Sequence, residues 1–152
     1  MSNVRNGLRQ SGCGAREGRS ILAVMLIFYT ASTSPVLAGP LEDLNLANSV
    51  AASVGAKDLS AALNSALKIE DDNLQSIWLA NIVNSALSIG DVNQALAAVT
   101  NIGDDNLRNI SLGNLVMKAL ELGNCSAAET SQLEITDEAL ASIYKTNILL
   151  RC

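Results

Sequence analysis

Residues 69–74 read Ile-Glu-Asp-Asp-Asn-Leu, and residues 102–107 read Ile-Gly-Asp-Asp-Asn-Leu, so two nearly identical stretches stand 33 residues apart. Apolar residues along most of the chain recur at the same spacing of 33, and each set of residues so related is called a column here. These columns are Leu41, Leu74, Leu107 and Leu140; Leu44, Ile77, Ile110 and Ile143; Val50, Val83, Val116 and Leu149; Ala62, Ala95 and Ala128; and Ile69, Ile102 and Ile135. A period of about 20 to 50 residues is typical of solenoids, in which each repeat buries its apolar face against its neighbours. We therefore expect these columns in the core.

Each repeat contains two predicted helices. Asp72 is expected to cap a helix from 73 to about 88 that stops at Gly90, and Asp91 to cap a shorter helix from 92 to about 101. Equivalent capping residues recur at Asp58, Asp104, Asp105, Asn124 and Asp137. No segment alternates like a strand, and the short connections favour antiparallel neighbours. The predicted class is all-α, with about seven helices.

The segment 81–96 resembles the helix-turn-helix of the tetratricopeptide repeat. The resemblance rests on the Gly90-Asp91 turn, on Ile82 in the first helix and on Ala95 in the second, with counterparts one repeat later. It implies a right-handed α-solenoid of antiparallel helical hairpins over residues 39–152, in which the first helix of each hairpin lines a concave binding face. Other helical-hairpin repeats are the alternative, since several signature positions of the family differ.

Residues 1–38 have the three zones of a signal peptide. A basic stretch with four arginines precedes an apolar run from Ile21 to Tyr29, and a small-residue segment ends at Ala38, after which we predict cleavage. The apolar run is shorter than the roughly 20 residues that span a bilayer, so export is favoured over a membrane anchor. A mitochondrial transit peptide is the minor alternative. The expected location is periplasmic or secreted, with no membrane contact after cleavage.

Histidine is absent from the chain, which excludes Ser-His-Asp and Cys-His nucleophile systems and histidine-ligated zinc. No nucleophile, base and orienting group can be assembled, so we predict a protein that is not an enzyme and has no cofactor. A carboxylate-based hydrolase is the enzymatic alternative. Residues 39–152 carry 6 basic and 14 acidic side chains, a net charge of −8. Such a charge opposes binding to nucleic acid and to anionic membranes.

One polar residue, asparagine, recurs at the same position in all four repeats. This asparagine column consists of Asn48, Asn81, Asn114 and Asn147. On a helical wheel Asn81 lies beside Asn84, opposite an apolar stripe. That stripe consists of Leu79, Ile82, Val83 and Ala86. The amides are expected either to bond one another as a ladder between stacked helices or to bind the backbone of an extended peptide.

Trp78 lies at the edge between the apolar stripe and the asparagine column, and Tyr144 takes the same position two repeats later. Such a residue either packs between hairpins or anchors a ligand. The candidate binding residues are therefore Asn48, Asn81, Asn84, Asn114, Asn147 and Trp78.

Acidic clusters at 70–72, 104–105 and 137–138 precede predicted helices, where negative charge is favourable. They lack the ligand spacing of a calcium loop, so we expect capping and no metal site.

Cys125 and Cys152 are the two cysteines that remain after the predicted cleavage. They stand at the start of the sixth helix and after the seventh, positions that meet in an antiparallel hairpin. Export permits a disulfide, and no CxxC spacing points to redox or metal chemistry instead. We predict that they form a disulfide.

The sequence as a whole predicts an exported, non-enzymatic helical-repeat module that binds a protein or peptide through its concave face. The alternative is a structural module that self-associates through its terminal helices, because Ile148, Leu149 and Leu150 make the last helix unusually apolar for a terminal one.

Overall fold

The computed structural model describes residues 38–152, which form seven helices and no strand. In chain order they are α1 (Ala38–Gly55), α2 (Leu59–Ala66), α3 (Asp72–Ile89), α4 (Val92–Val99), α5 (Asp105–Glu121), α6 (Cys125–Leu133) and α7 (Glu138–Arg151). The predicted all-α class and the number of helices are confirmed. Apart from Ala38, the predicted signal peptide lies outside the described residues. Among the described helices, none combines the length and apolarity that crossing a bilayer requires.

Six of the helices have an N-terminal capping residue whose side chain bonds to the first turn. Asp58, Asp91 and Asn124 precede α2, α4 and α6, and Asp71, Asp104 and Asp137 precede α3, α5 and α7. Each side chain accepts a hydrogen bond from the backbone N–H three residues later, at 2.7–3.1 Å. These bonds satisfy N–H groups that the first helical turn leaves without partners.

The cap of α3 is Asp71, and the prediction of Asp72 is wrong by one residue. At α5 the cap is Asp104 alone, because Asp105, also predicted to cap, is the first helical residue. Asp71 has the extended backbone that a capping residue needs, and its carboxylate accepts from Leu74 N at 2.7 Å. Asp72 is the first helical residue and places a further negative charge in the first turn. At the other end, Gly90 terminates α3 at φ +79°, as predicted.

The helices form two layers. Helices α1, α3, α5 and α7, hereafter the odd helices, pack against one another in chain order. Helices α2, α4 and α6, the even helices, each pack against the odd helix before and the odd helix after. The core lies between the layers and includes Leu79, Ile82, Leu112 and Leu115, all at most 1% exposed.

Three buried polar residues join successive odd helices. This polar column consists of Asp43, Ser76 and Asn109, all at most 7% exposed. Asp43 accepts hydrogen bonds from Glu70 N at 2.8 Å and Asp71 N at 3.1 Å, just before α3. Ser76 accepts one from Asp104 N at 3.2 Å, just before α5.

Asn109 repeats this arrangement between α5 and α7, because its Oδ1 accepts from Thr136 N at 3.0 Å while its Nδ2 donates to Thr136 Oγ1 at 3.1 Å. The three sets of bonds hold the N-terminal end of each odd helix beside that of the next. The start of each of α3, α5 and α7 therefore lies beside the first turns of the odd helix before it.

The start of α6 is joined to the end of α7. The Sγ atoms of Cys125 and Cys152 lie 2.05 Å apart, and the two Cα atoms 5.9 Å apart. The predicted pairing is confirmed.

Candidate functional site

The outer surface of the odd helices carries the asparagine column. Asn48, Asn81 and Asn114 are exposed and Asn147 is half-buried, whereas the apolar stripe of α3 on the opposite side is completely buried. Asn84 is also exposed. The orientation that the helical wheel predicts is confirmed.

An aliphatic column runs beside the asparagine column on the same surface. It consists of Leu44, Ile77, Ile110 and Ile143, whose exposed fractions are 56%, 50%, 57% and 56%. Each member stands four residues before an asparagine of the column, so the two side chains lie on one face of their helix.

The expectation that this aliphatic column belongs to the core is wrong. Ile77 stands two residues before Leu79, which turns it about 200° around the helix axis from that buried side chain. Membership of a repeated apolar column does not by itself reveal the face, but Ile77 falls on the asparagine side of the wheel, and that signal could have identified the site from the sequence. Leu41 and Leu149 are also misplaced by this expectation, since they are 62% and 75% exposed.

The asparagine ladder is not seen in the described part of the chain. No hydrogen bond there joins two members of the asparagine column. The side chain of Asn147 instead donates to Ile143 O at 3.2 Å, one turn earlier in its own helix. The fold thus leaves the amides of Asn48, Asn81 and Asn114 available to another molecule.

Trp78 and Tyr144 have a packing role. Both are half-buried and rest against the core. The Tyr144 ring lies directly over Gly113 of α5, where an added Cβ would come within 2.6 Å of Cζ and 2.8 Å of Cε2. The absence of a side chain at Gly113 is what allows α7 to approach α5, so Tyr144 holds these two helices together beside the site.

Carboxylates line the N-terminal ends of the odd helices. This acidic edge consists of Asp71, Asp72, Asp104, Asp105, Asp137 and Glu138, all exposed. The polar column places these ends next to one another, so the charges form a row. Arg108 lies among them and pairs with Asp105 at 2.6 Å. The predicted capping role is confirmed for Asp71, Asp104 and Asp137.

A depression of about 250 Å³ lies between α6 and α7. Its lining includes Leu133, Lys145 and Leu149. Leu149 belongs to the column of Val50, Val83 and Val116, which are completely buried, but no described helix covers it. The depression therefore presents apolar side chains beside α7, the last of the odd helices.

Within residues 38–152 no three histidine, cysteine or acidic side chains are grouped as metal ligands. Comparison of the chain with protein-family models, with curated proteins and with solved structures gave no match.

Proposed function

We propose that residues 39–152 form a right-handed solenoid of tetratricopeptide type with a 33-residue repeat, and that this module is exported and non-enzymatic. The spacing of the helix starts supports the repeat, since α3, α5 and α7 begin at 72, 105 and 138 while α2, α4 and α6 begin at 59, 92 and 125. The work of the module is to bind an extended protein segment or peptide across the surface of the odd helices, which is the concave face of such a solenoid.

The exposure of the aliphatic column carries this proposal. Apolar side chains exposed to water cost free energy unless a partner covers them, and apolar patches commonly mark interaction sites. The four aliphatic side chains occupy equivalent positions on four adjacent helices, and scattered surface leucines would have no reason to align in this way.

The asparagine column supports an extended ligand over a helical one. An amide side chain can donate to a carbonyl and accept from an N–H. In an α-helix those backbone groups bond to one another, whereas in an extended segment they point outward and need partners. A row of exposed amides beside an apolar row therefore suits the backbone of an extended peptide.

Replacing Ile77 and Ile110 with glutamine is expected to weaken peptide binding at least about tenfold, because the two central apolar contacts are lost. Peptides would be selected from a random library on the protein expressed from the full chain, and their affinities measured by fluorescence anisotropy. Both side chains are exposed, so unfolding free energy should change by less than about 0.5 kcal/mol each.

The matched control replaces Leu67 and Leu122, which are 43% and 52% exposed and lie outside the aliphatic column. This Leu67→Gln, Leu122→Gln variant should bind like the parent. Equal affinities for all three proteins would refute a site on the odd helices.

Self-association is the second candidate function, and the exposure of the apolar end supports it. Leu133, Leu149 and Leu150 are 78%, 75% and 79% exposed. A second copy seated on this surface would cover them. We expect a dimer in sedimentation velocity at high concentration that the Leu133→Gln, Leu149→Gln variant converts to a monomer. A parent protein that stays monomeric across the concentration range would exclude this role.

A further inference from the structure

We infer that the protein forms a closed two-fold dimer through α6 and α7, in which Glu129 of each copy pairs with Lys145 of the other. The inference rests on self-association, the second function proposed above. It adds the symmetry of the contact and the residues that make it specific. The depression between α6 and α7 is then covered by the same depression of a second copy.

Each helix beside the depression contributes one charge and one leucine. Glu129 and Leu133 line it from α6, and Lys145 and Leu149 line it from α7. On each helix the leucine stands four residues after the charge, so the two side chains lie on the same face. All four side chains are exposed, the leucines at 78% and 75%.

The two charges distinguish this surface from the core. Glu129 and Lys145 stand 33 residues after Leu96 and Leu112, both of which belong to the packed interior. Each is thus a charged residue where the preceding repeat has a leucine. Within residues 38–152 neither of them forms an ion pair. One acidic and one basic group therefore accompany the exposed leucines and are free to pair with another molecule.

The disulfide sets the relative heights of these side chains. It joins the start of α6 to the residue after α7, so the two helices run antiparallel and heights can be counted from the bond. At about 1.5 Å per residue, Leu149 and Glu129 lie about 4.5 and 6 Å from it. Lys145 and Leu133 lie about 10.5 and 12 Å from it. The leucines therefore occupy one diagonal of the depression and the charges occupy the other.

One two-fold axis fits this pattern. A two-fold contact is self-complementary, since a residue that contacts a second residue is contacted by it in return. An axis along the leucine diagonal sets each leucine against the same leucine of the second copy, and each Glu129 against Lys145 of the second copy. An axis parallel to the helices, or across them, sets leucines against charges. An axis along the charge diagonal sets like charges together, so charge complementarity favours the leucine diagonal.

The other end of the domain offers no matching surface. Ser49 of α1 takes the position that Ile82 and Leu115 hold in α3 and α5. Those two residues are completely buried, whereas Ser49 is exposed, and so is Asn45 one turn before it. A head-to-tail contact would set the exposed leucines against these polar side chains. Contact between like ends closes the assembly at two copies.

A dimer of this kind leaves the proposed peptide-binding surface of α7 open. Ile143, the member of the aliphatic column on α7, stands two residues before Lys145 and thus about 200° around the helix axis from it. The dimer would present two peptide-binding surfaces. A ligand with two linked segments would then bind more tightly than a ligand with one.

Charge reversal tests the pairing on the protein expressed from the full chain. Glu129→Lys and Lys145→Glu each set like charges against one another, so each should raise the dimer dissociation constant at least about tenfold in sedimentation equilibrium. The double variant Glu129→Lys, Lys145→Glu restores opposite charges, and its dissociation constant should lie within about threefold of that of the parent. Because both side chains are exposed, the circular dichroism spectra should not change.

Matched controls reverse charges elsewhere. Glu42 and Lys68 are exposed and lie outside α6 and α7, so Glu42→Lys and Lys68→Glu should dimerise like the parent. The axis has its own test, because it brings position 133 of the two copies together. Leu133→Cys should form a disulfide-linked dimer on oxidation, whereas Leu67→Cys, at the equivalent position after α2, should not.

The outcomes separate this inference from the functions proposed above. A parent that stays monomeric refutes self-association and this inference together. A dimer that Leu133→Gln with Leu149→Gln disrupts, but that single charge reversals leave unchanged, keeps self-association and overturns the pairing. A double reversal that fails to regain the affinity of the parent also overturns the pairing, and a dimer without the Leu133→Cys cross-link overturns the axis. Peptide binding by the odd helices is tested independently of all these results.

Discussion

Replacing Cys125 and Cys152 with serine is expected to lower the free energy of unfolding by about 3.5 kcal/mol at 25 °C. The bond closes a loop with a sequence separation of 27 residues, and in the chain-entropy model the opened loop gains that much freedom in the unfolded state. Helix α7 should be the most affected element, because Ile148 is its one buried side chain and the bond secures its end. Urea titration of the parent and the variant measures the difference.

Two spectroscopic probes distinguish unfolding of the whole domain from local unfolding of α7. Trp78 is the single tryptophan of the chain and lies in α3, so its fluorescence reports the middle of the repeat array, whereas circular dichroism reports all helices. With the disulfide intact, the transitions seen by circular dichroism and by fluorescence should coincide. Without the disulfide, the circular dichroism signal should fall at lower urea concentrations than those at which the fluorescence changes. The Cys125→Ser single variant also lacks the bond, so it is the control and should unfold like the double variant. An unchanged urea midpoint after reduction would show that the bond adds no stability.

Much of the fold could be predicted from the sequence because its determinants are local and repeated. The capping side chains recur every 33 residues, as in Asp58, Asp91 and Asn124, and so do the glycines Gly90 and Gly123. Each of these residues acts on the backbone within a few residues of itself. The one-residue error at Asp72 arose where two aspartates are adjacent. The choice between them depends on the backbone angles at the helix start, which a sequence pattern does not contain.

The candidate site was predicted in part. The asparagine column could be placed on the outer face because a helical wheel opposes it to four buried residues. The repeat pattern predicts the aliphatic column in the core, because apolarity alone does not distinguish a buried face from a binding face. The polar column was missed altogether. Its members are Asp, Ser and Asn, which share the ability to accept an N–H hydrogen bond but not an identity that self-comparison detects.

The Asp43→Ala substitution is expected to lower the free energy of unfolding by about 3 kcal/mol. Asp43 is 7% exposed and accepts hydrogen bonds from two backbone N–H groups, those of Glu70 and Asp71. A hydrogen bond to a charged group contributes about 1.5–3 kcal/mol, and the two donors would be left part-buried without an acceptor. Urea unfolding followed by circular dichroism gives the value.

Graded variants distinguish the loss of hydrogen bonds from the loss of packing. Asp43→Asn keeps the shape but offers one acceptor oxygen for two donors, so it should cost about half as much as alanine. Glu42 is adjacent and exposed, and Glu42→Ala should change stability by less than about 0.5 kcal/mol. If Asp43→Ala costs no more than Glu42→Ala, these bonds do not hold α1 to α3. If the expected order is found, the polar column is what holds the N-terminal parts of successive odd helices together. Those helices carry Leu44 and the three isoleucines of the aliphatic column.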